Sequence, residues 1–193
     1  INFTGELIYE KIFPAQMMNM KLFSFYIILT FIIPAVFAQD VNKTIMDEKS
    51  EEIMLVGYTT REAFKDTNFS WWFNSEYEMY EPDSAAIPLL KEKLSDVSVT
   101  IVMGTWCTDS RREVPRFFKI MDSVGFWADK ITIINVSRNK TAELKREGSD
   151  TPEEFKVELV PVFIFYRSRV EIGRITEMPK ETIEKDILGI TDK

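Results

Sequence analysis

Histidine is absent from the 193 residues and cysteine occurs once, at Cys107. Without histidine there is no Ser-His-Asp or Cys-His catalytic arrangement and none of the usual histidine-bearing zinc or iron sites. No resident metal and no cofactor are expected. A lone cysteine cannot close a disulfide within the chain, so any thiol chemistry has to end on another molecule. The net charge is −7, with acids and bases interspersed and no basic stripe. An electrostatic grip on a phosphate backbone therefore has no support, and no nucleic-acid partner is expected.

What is present describes a globular chain, with 45% hydrophobic and 28% charged residues. One apolar run stands apart, from Leu22 to Phe37, preceded by Met20-Lys21 and broken at Pro34 before the small residue Ala38 and the polar pair Gln39-Asp40. This pattern reads as a secretory signal peptide over residues 20–38, cleaved after Ala38, which implies a periplasmic or secreted protein without a stable membrane span. The alternative is an uncleaved anchor, although the run, at about 16 residues, is shorter than the ~20 that span a bilayer. Residues 1–19 precede the expected starting methionine and read as upstream sequence. No cysteine directly follows the run, which excludes a lipidated N-terminal cysteine. Removing the segment leaves about 155 residues, enough for one domain with a real core.

In the remainder, Asp40 to Glu52 is polar and reads as a mobile lead-in. Ile53 to Val56 is a candidate strand that Gly57 stops. Thr59 and Glu62 have capping-box spacing for a short helix through Ala63 and Phe64. The aromatic cluster Phe69, Trp71, Trp72, Phe73, Tyr77 and Tyr80 closes one end of the core or forms a ligand surface; both readings stay open. Residues 39–83 are thus an N-terminal extension with helical and aromatic character, ahead of a domain over 84–193.

Ser84 is a candidate N-cap for a helix with Ile87, Leu90 and Leu94 on its apolar stripe, and Pro88 falls in its first turn. Val97 to Met103 reads as a central strand covered on both faces, ended by Gly104. Cys107 to Val124 predicts a helix with Val114, Phe117, Phe118 and Met121 on one face and Pro115 inside it. Ile131 to Val136 is a second parallel-type strand, and the charged stretch 137–151 reads as a loop or short exposed helix. Val160–Tyr166 and Val170–Ile175 form a hairpin turning at Arg167-Ser168-Arg169. Pro179 suits position N1 of a closing helix with Gly189 past its end. The fold class is α/β, a βαβ unit joined to a ββα unit.

Trp106-Cys107-Thr108-Asp109-Ser110, directly after the buried strand, resembles the active-site segment of the thioredoxin family, in particular its Trp-Cys-x-Asp-Cys variant with serine in the second cysteine's place. Pro115, five residues after Ser110, matches the family's helix-bending proline, Val160-Pro161 its cis-proline and Pro179 the start of its last helix. The stretch from Gly104 to Pro115 is also similar to a subgroup of exported bacterial thioredoxin-like proteins. The resemblance covers about Ser84 to Ile190 and implies a thioredoxin fold, a central mixed sheet flanked by helices.

The resemblance further implies that Cys107 attacks disulfides, because a helix N-terminus stabilises the thiolate, which is the nucleophile. Arg111 and Arg112 reinforce this and Asp109 opposes it. Trp106 becomes a cover beside the sulfur, and Thr108 and Asp109 line the substrate side. A cis-proline at Pro161 leaves the backbone of Val160 to pair with an extended substrate.

Each residue also has a plainer reading: a buried inert Cys107, a packing Trp106, a solvated Arg111 and Arg112, a trans Pro161 at a strand edge. Two departures from the family stand out. Ser110 cannot resolve a mixed disulfide, and Ile101 occupies the position of the family's buried carboxylate. The expected function is an exported monothiol (CxxS) oxidoreductase with cysteine-containing client proteins or low-molecular-weight thiols as partners. The alternative is a non-catalytic peptide-binding or chaperone-like module. A peroxidase is a weak third reading, because Thr105 lies only two residues before Cys107 and no Thr-x-x-Cys is present.

Overall fold

The structure is a computed structural model and describes residues 41–138 and 157–192. The expected leader over 1–19, the signal peptide over 20–38 and most of the charged stretch 137–151 lie outside the described residues.

A six-stranded mixed sheet organises the chain, in the order β1-β2-β4-β3-β5-β6. The strands are β1 (Lys43–Met46), β2 (Ile53–Thr59), β3 (Val97–Met103), β4 (Ile131–Asn135), β5 (Val162–Arg167) and β6 (Val170–Thr176). Helices α1 (Thr67–Met79) and α2 (Ile87–Lys93) lie between β2 and β3, α3 (Thr108–Val124) between β3 and β4, and α4 (Ile183–Thr191) after β6. Strands β3 and β4 pair in parallel, as the βαβ reading requires, with Ile101 opposite Ile133. The other pairings are antiparallel.

Side-chain alternation along β3 divides the core in two. Val97, Val99, Ile101 and Met103 join the large cluster to which all four helices contribute, including Phe73, Leu90, Phe117 and Ile187. Phe117 of α3 stacks on Phe163 of β5 at 4.8 Å between ring centres. Val102 faces the other way, into a smaller cluster with Val136, Val160, Val162 and Ile164. Trp106, Cys107, Val157 and Tyr166 pack at its edge, so the motif sits where the second face of the sheet meets the start of α3.

The helix over α3 has the expected buried face at Val114, Phe117, Phe118 and Met121, with Pro115 buried inside it. Other boundaries differ from expectation. Asp40 to Glu52 contains a strand, β1, which pairs with β2 from Lys43 opposite Val56 to Met46 opposite Ile53. Gly57 does not stop β2: it takes φ 76 where the strand passes from pairing with β1 to pairing with β4, and the strand continues to Thr59. Thr59 is no capping residue, since its hydroxyl accepts from the buried Asn135 amide at 2.9 Å. The expected short helix through Ala63 and Phe64 is a 3-10 turn over Arg61–Lys65 that buries Phe64, with Thr60 as its N-cap residue.

Ser84 does not cap α2. The N-cap residue is Ala86, with no side-chain cap, and Asp83 closes the turn ahead of it, its Oδ1 accepting from Ala85 N at 2.9 Å and its carbonyl from Ala86 N and Ile87 N. Pro179 lies ahead of the last helix rather than at its N1, because Thr182 is the extended N-cap and accepts from Lys185 N at 3.2 Å. Gly189 lies inside α4, which runs on to Thr191 and so places Ile190 against Gly173. The hairpin of β5 and β6 closes with Arg167 opposite Val170. Its two-residue turn uses positive φ at both Ser168 and Arg169, the conformation in which glycine or asparagine is commoner.

The aromatic cluster is largely packing. Phe69, Trp72 and Phe73 are buried on α1, and Phe64 stacks on Phe73 at 5.0 Å. Tyr80 donates its hydroxyl to the buried Glu184 of α4, at 3.0 and 2.9 Å to the two carboxylate oxygens. Burial and that carboxylate push the Tyr80 hydroxyl well above the usual tyrosine range. Trp71 alone of these rings is 63% exposed.

Candidate functional site

The strand-to-helix turn after β3 is held from several directions. Gly104 is required by close approach, because a Cβ there would fall 2.6 Å from Nε1 of Trp106. Its N–H donates to the Ser110 hydroxyl at 3.3 Å. Ser110 is fully buried and ties the strand end to the first turn of α3. Thr105, also buried, accepts from Leu55 N of β2 through its hydroxyl at 3.1 Å, and its carbonyl accepts from Nε of Arg111.

Cys107 is the N-cap residue of α3, with extended backbone at φ −91 and ψ 125. The thiol is half-buried and donates to the carbonyl oxygen of Val160 at 3.2 Å. The Val160-Pro161 peptide bond is cis, and both residues are buried. The structure thus brings Cys107, Trp106, Val160 and Pro161 together, residues separated by more than fifty positions of sequence.

Trp106 is fixed rather than free. Its indole N–H donates to the Val136 carbonyl at 2.8 Å, and the guanidinium of Arg138 lies over its ring at 4.9 Å from the centre. Arg138 in turn is held by Asp47 at 2.7 Å. Asp47 is 3% exposed and also accepts from the Ser50 hydroxyl at 2.7 Å and from Lys49 N. The Ser50 hydroxyl, together with Arg138, keeps the Asp47 carboxyl below the ordinary aspartate range.

The arginines of the first turn of α3 face carboxylates. Arg111 pairs with Glu52 at 3.0 Å and lies over Trp71 at 5.8 Å. Arg112 bonds the buried Glu113 at 2.6 Å and Asp109 at 2.8 Å, which together raise the affinity of its guanidinium for its proton. Asp109 is therefore engaged by Arg112. Thr108 is exposed and lines a cleft of about 310 Å³ with Trp71, Trp72, Glu76, Arg111 and Arg112. A roomier cleft of about 450 Å³, lined by Thr59, Phe118, Asp122 and Ile133 among others, contains no residue of the motif.

Sequence reasoning missed Asp47, Glu52, Val136 and Arg138. None carries a local signal: Asp47 and Glu52 stand in a polar stretch, and Arg138 is one cation among the 24 lysines and arginines of the chain. Only the pairing of β1 with β2, and of β2 with β4, brings the carboxylates beside the motif.

Fold and site together define a mixed α/β protein with one half-buried thiol at a helix start, against a cis-proline. No protein-family model matches the chain, and no curated protein matches it. Two solved structures are similar to it. One is a protein of unknown function from Pseudomonas aeruginosa, 13% identical, with a TM-score of 0.40 over 64% of this chain and 81% of that one. The other is an HIV epitope-scaffold, also 13% identical, with a TM-score of 0.38 over 63% of this chain and 71% of the scaffold. Likeness at this level defines no function.

Proposed function

We propose that the chain is an exported thioredoxin-fold monothiol oxidoreductase that acts on disulfides of client proteins or small thiols through a mixed disulfide at Cys107. The observation that carries this reading is the thiol of the helix N-cap residue lying 3.2 Å from the Val160 carbonyl, directly before the cis-proline. The parallel β3-α3-β4 unit followed by β5, β6 and α4, with β3 between β4 and β5, supports the fold assignment.

The Cys107 thiol loses its proton to solvent and the thiolate attacks one sulfur of a client disulfide. A bond forms between Cys107 and that sulfur, and the other client sulfur leaves as a thiolate. Ser110 offers only a hydroxyl, which is a negligible nucleophile toward sulfur. Release therefore needs a second thiolate, from the client or from a small thiol, which attacks the client sulfur of the adduct and returns Cys107 reduced. No net oxidation of the chain occurs in this cycle, which suits isomerisation and the removal of small-thiol caps.

A second reading, a non-catalytic peptide-binding or chaperone-like module, is favoured by the exposed Trp71 at the cleft beside Thr108. Mixed-disulfide trapping in the native compartment separates the two. The oxidoreductase gives thiol-reducible adducts that Cys107→Ser loses. A binding module gives no such adducts, and its associations survive that substitution.

A further inference from the structure

The turn between β1 and β2 carries two carboxylates that both end beside the Cys107 loop. Its neck is closed by Asp47 N donating to the Glu52 carbonyl and Glu51 N donating to the Asp47 carbonyl, each at 2.8 Å. From this neck Asp47 reaches Arg138, which covers Trp106, and Glu52 reaches Arg111, which bonds the Thr105 carbonyl. The two residues before Cys107 are thus each braced by an arginine, and each arginine is oriented by a carboxylate of one short turn. Closing the turn does not require Arg138, since Ser50 and Lys49 N already bond the Asp47 carboxylate. The guanidinium adds a planar cation over an indole, an attractive arrangement that fixes the ring.

We propose that Asp47 and Glu52 are positioning residues which, through Arg138 and Arg111, hold Trp106 and the Thr105 backbone in place and so set the rate at which the Cys107 thiol exchanges with disulfides. This rests on the reading of Cys107 as the attacking thiol. Neither carboxylate touches the sulfur; they act through the arginines. Small displacements at a reacting centre change rates steeply, which is why a distant turn can control the exchange.

The test uses the full chain and three readouts: the second-order rate of Cys107 with a dipyridyl disulfide, tryptophan emission and the urea midpoint. Asp47→Asn and Arg138→Gln are expected to change the exchange rate by about tenfold and to shift the emission, and the emission shift should vanish in a Trp106→Phe background. Glu52→Gln, at a carboxylate 58% exposed, keeps the fold and should change the rate in the same direction. Arg61→Gln breaks a comparable arginine–aspartate pair, with Asp122, and should lower the urea midpoint while leaving the exchange rate unaltered. Unchanged rate and emission in Asp47→Asn and Glu52→Gln would overturn the proposal, as would an equal rate change in Arg61→Gln. A wild-type thiol inert to the probe would instead remove the reading of Cys107, and the emission comparison would then decide the positioning role alone.

Discussion

Tyr80 and Glu184 stand 104 positions apart and meet in the interior, the tyrosine hydroxyl donating to both oxygens of a carboxylate that is 1% exposed. Glu184 also accepts from Asp83 N at 3.1 Å, so one buried carboxylate ties the end of α1, the approach to α2 and the first turn of α4. A buried charge is tolerated only when hydrogen-bonded, and here the tyrosine supplies much of that bonding. The arrangement locks the aromatic segment to the far end of the chain.

Tyr80→Phe should accordingly destabilise the protein by about 1.5–3 kcal/mol, the range for a hydrogen bond to a charged group. Urea unfolding followed by far-UV circular dichroism measures this. A loss under half a kilocalorie would mean that solvent replaces the hydroxyl and that Glu184 is not sequestered.

Gly104→Ala places a methyl group 2.6 Å from the Trp106 indole nitrogen, and real Cβ atoms do not occupy such positions. The indole must move, breaking its bond to the Val136 carbonyl. The expected outcome is a lower thermal midpoint and a changed tryptophan emission that is missing when Trp106 is already phenylalanine. An alanine variant with the parent's emission would refute the close packing of the strand end on this ring.

Acid should weaken the fold through two aspartates. Asp47 is held below its ordinary value of 3.8 by the Ser50 hydroxyl and Arg138. For Asp122, burial pushes upward but the bonds from Arg61 and Tyr77 prevail and leave it lowered. A carboxyl depressed in the folded state contributes stability that is fully present above the unfolded value and is lost as pH falls through the folded one. Stability should therefore hold near neutrality and decline below pH about 4. Asp122→Asn should flatten that decline. A stability curve that rises on acidification, or an unaltered decline in this variant, would contradict the assignment.

Much of this architecture can be read from residue order, and what cannot has a physical cause. Regular burial at Val114, Phe117, Phe118 and Met121 makes α3 visible, and the β-branched runs make β3 and β4 visible, because these elements pack on the large core. Strand β1 was hidden, since of Lys43 to Met46 only Ile45 is even partly buried and backbone pairing leaves no composition signal. The cap positions expected of Thr59 and Ser84 and the N1 position expected of Pro179 are not theirs, because the hydroxyl of Thr59 serves Asn135, α2 begins after Ala86 with no side-chain cap, and Thr182 caps α4. At the site, the residues around Cys107 and the Val160-Pro161 pair stand out in the sequence through the family resemblance, and the structure shows the cis bond and brings the two together. Asp47, Glu52 and Arg138 do not stand out, because their role exists only once the sheet is assembled.

Ser110→Cys tests why the chain keeps a hydroxyl at that place. Three residues along a helix puts this side chain on the same face as Cys107, so a thiol there could attack a Cys107 adduct. The variant should shed its adduct without added thiol and end with an intramolecular disulfide, seen as a loss of two free thiols. An adduct as persistent as that of the parent would show that position 110, fully buried and bonded to Gly104, is closed to exchange whichever nucleophile it carries.

The most direct examination of the account is intact-mass spectrometry of the reduced chain mixed with a model peptide disulfide. The account predicts one peptide per chain, joined at Cys107 while the peptide disulfide is in excess, removed by added small thiol and absent from Cys107→Ser. A chain that retains its native emission and unfolding midpoint yet acquires no peptide would contradict it.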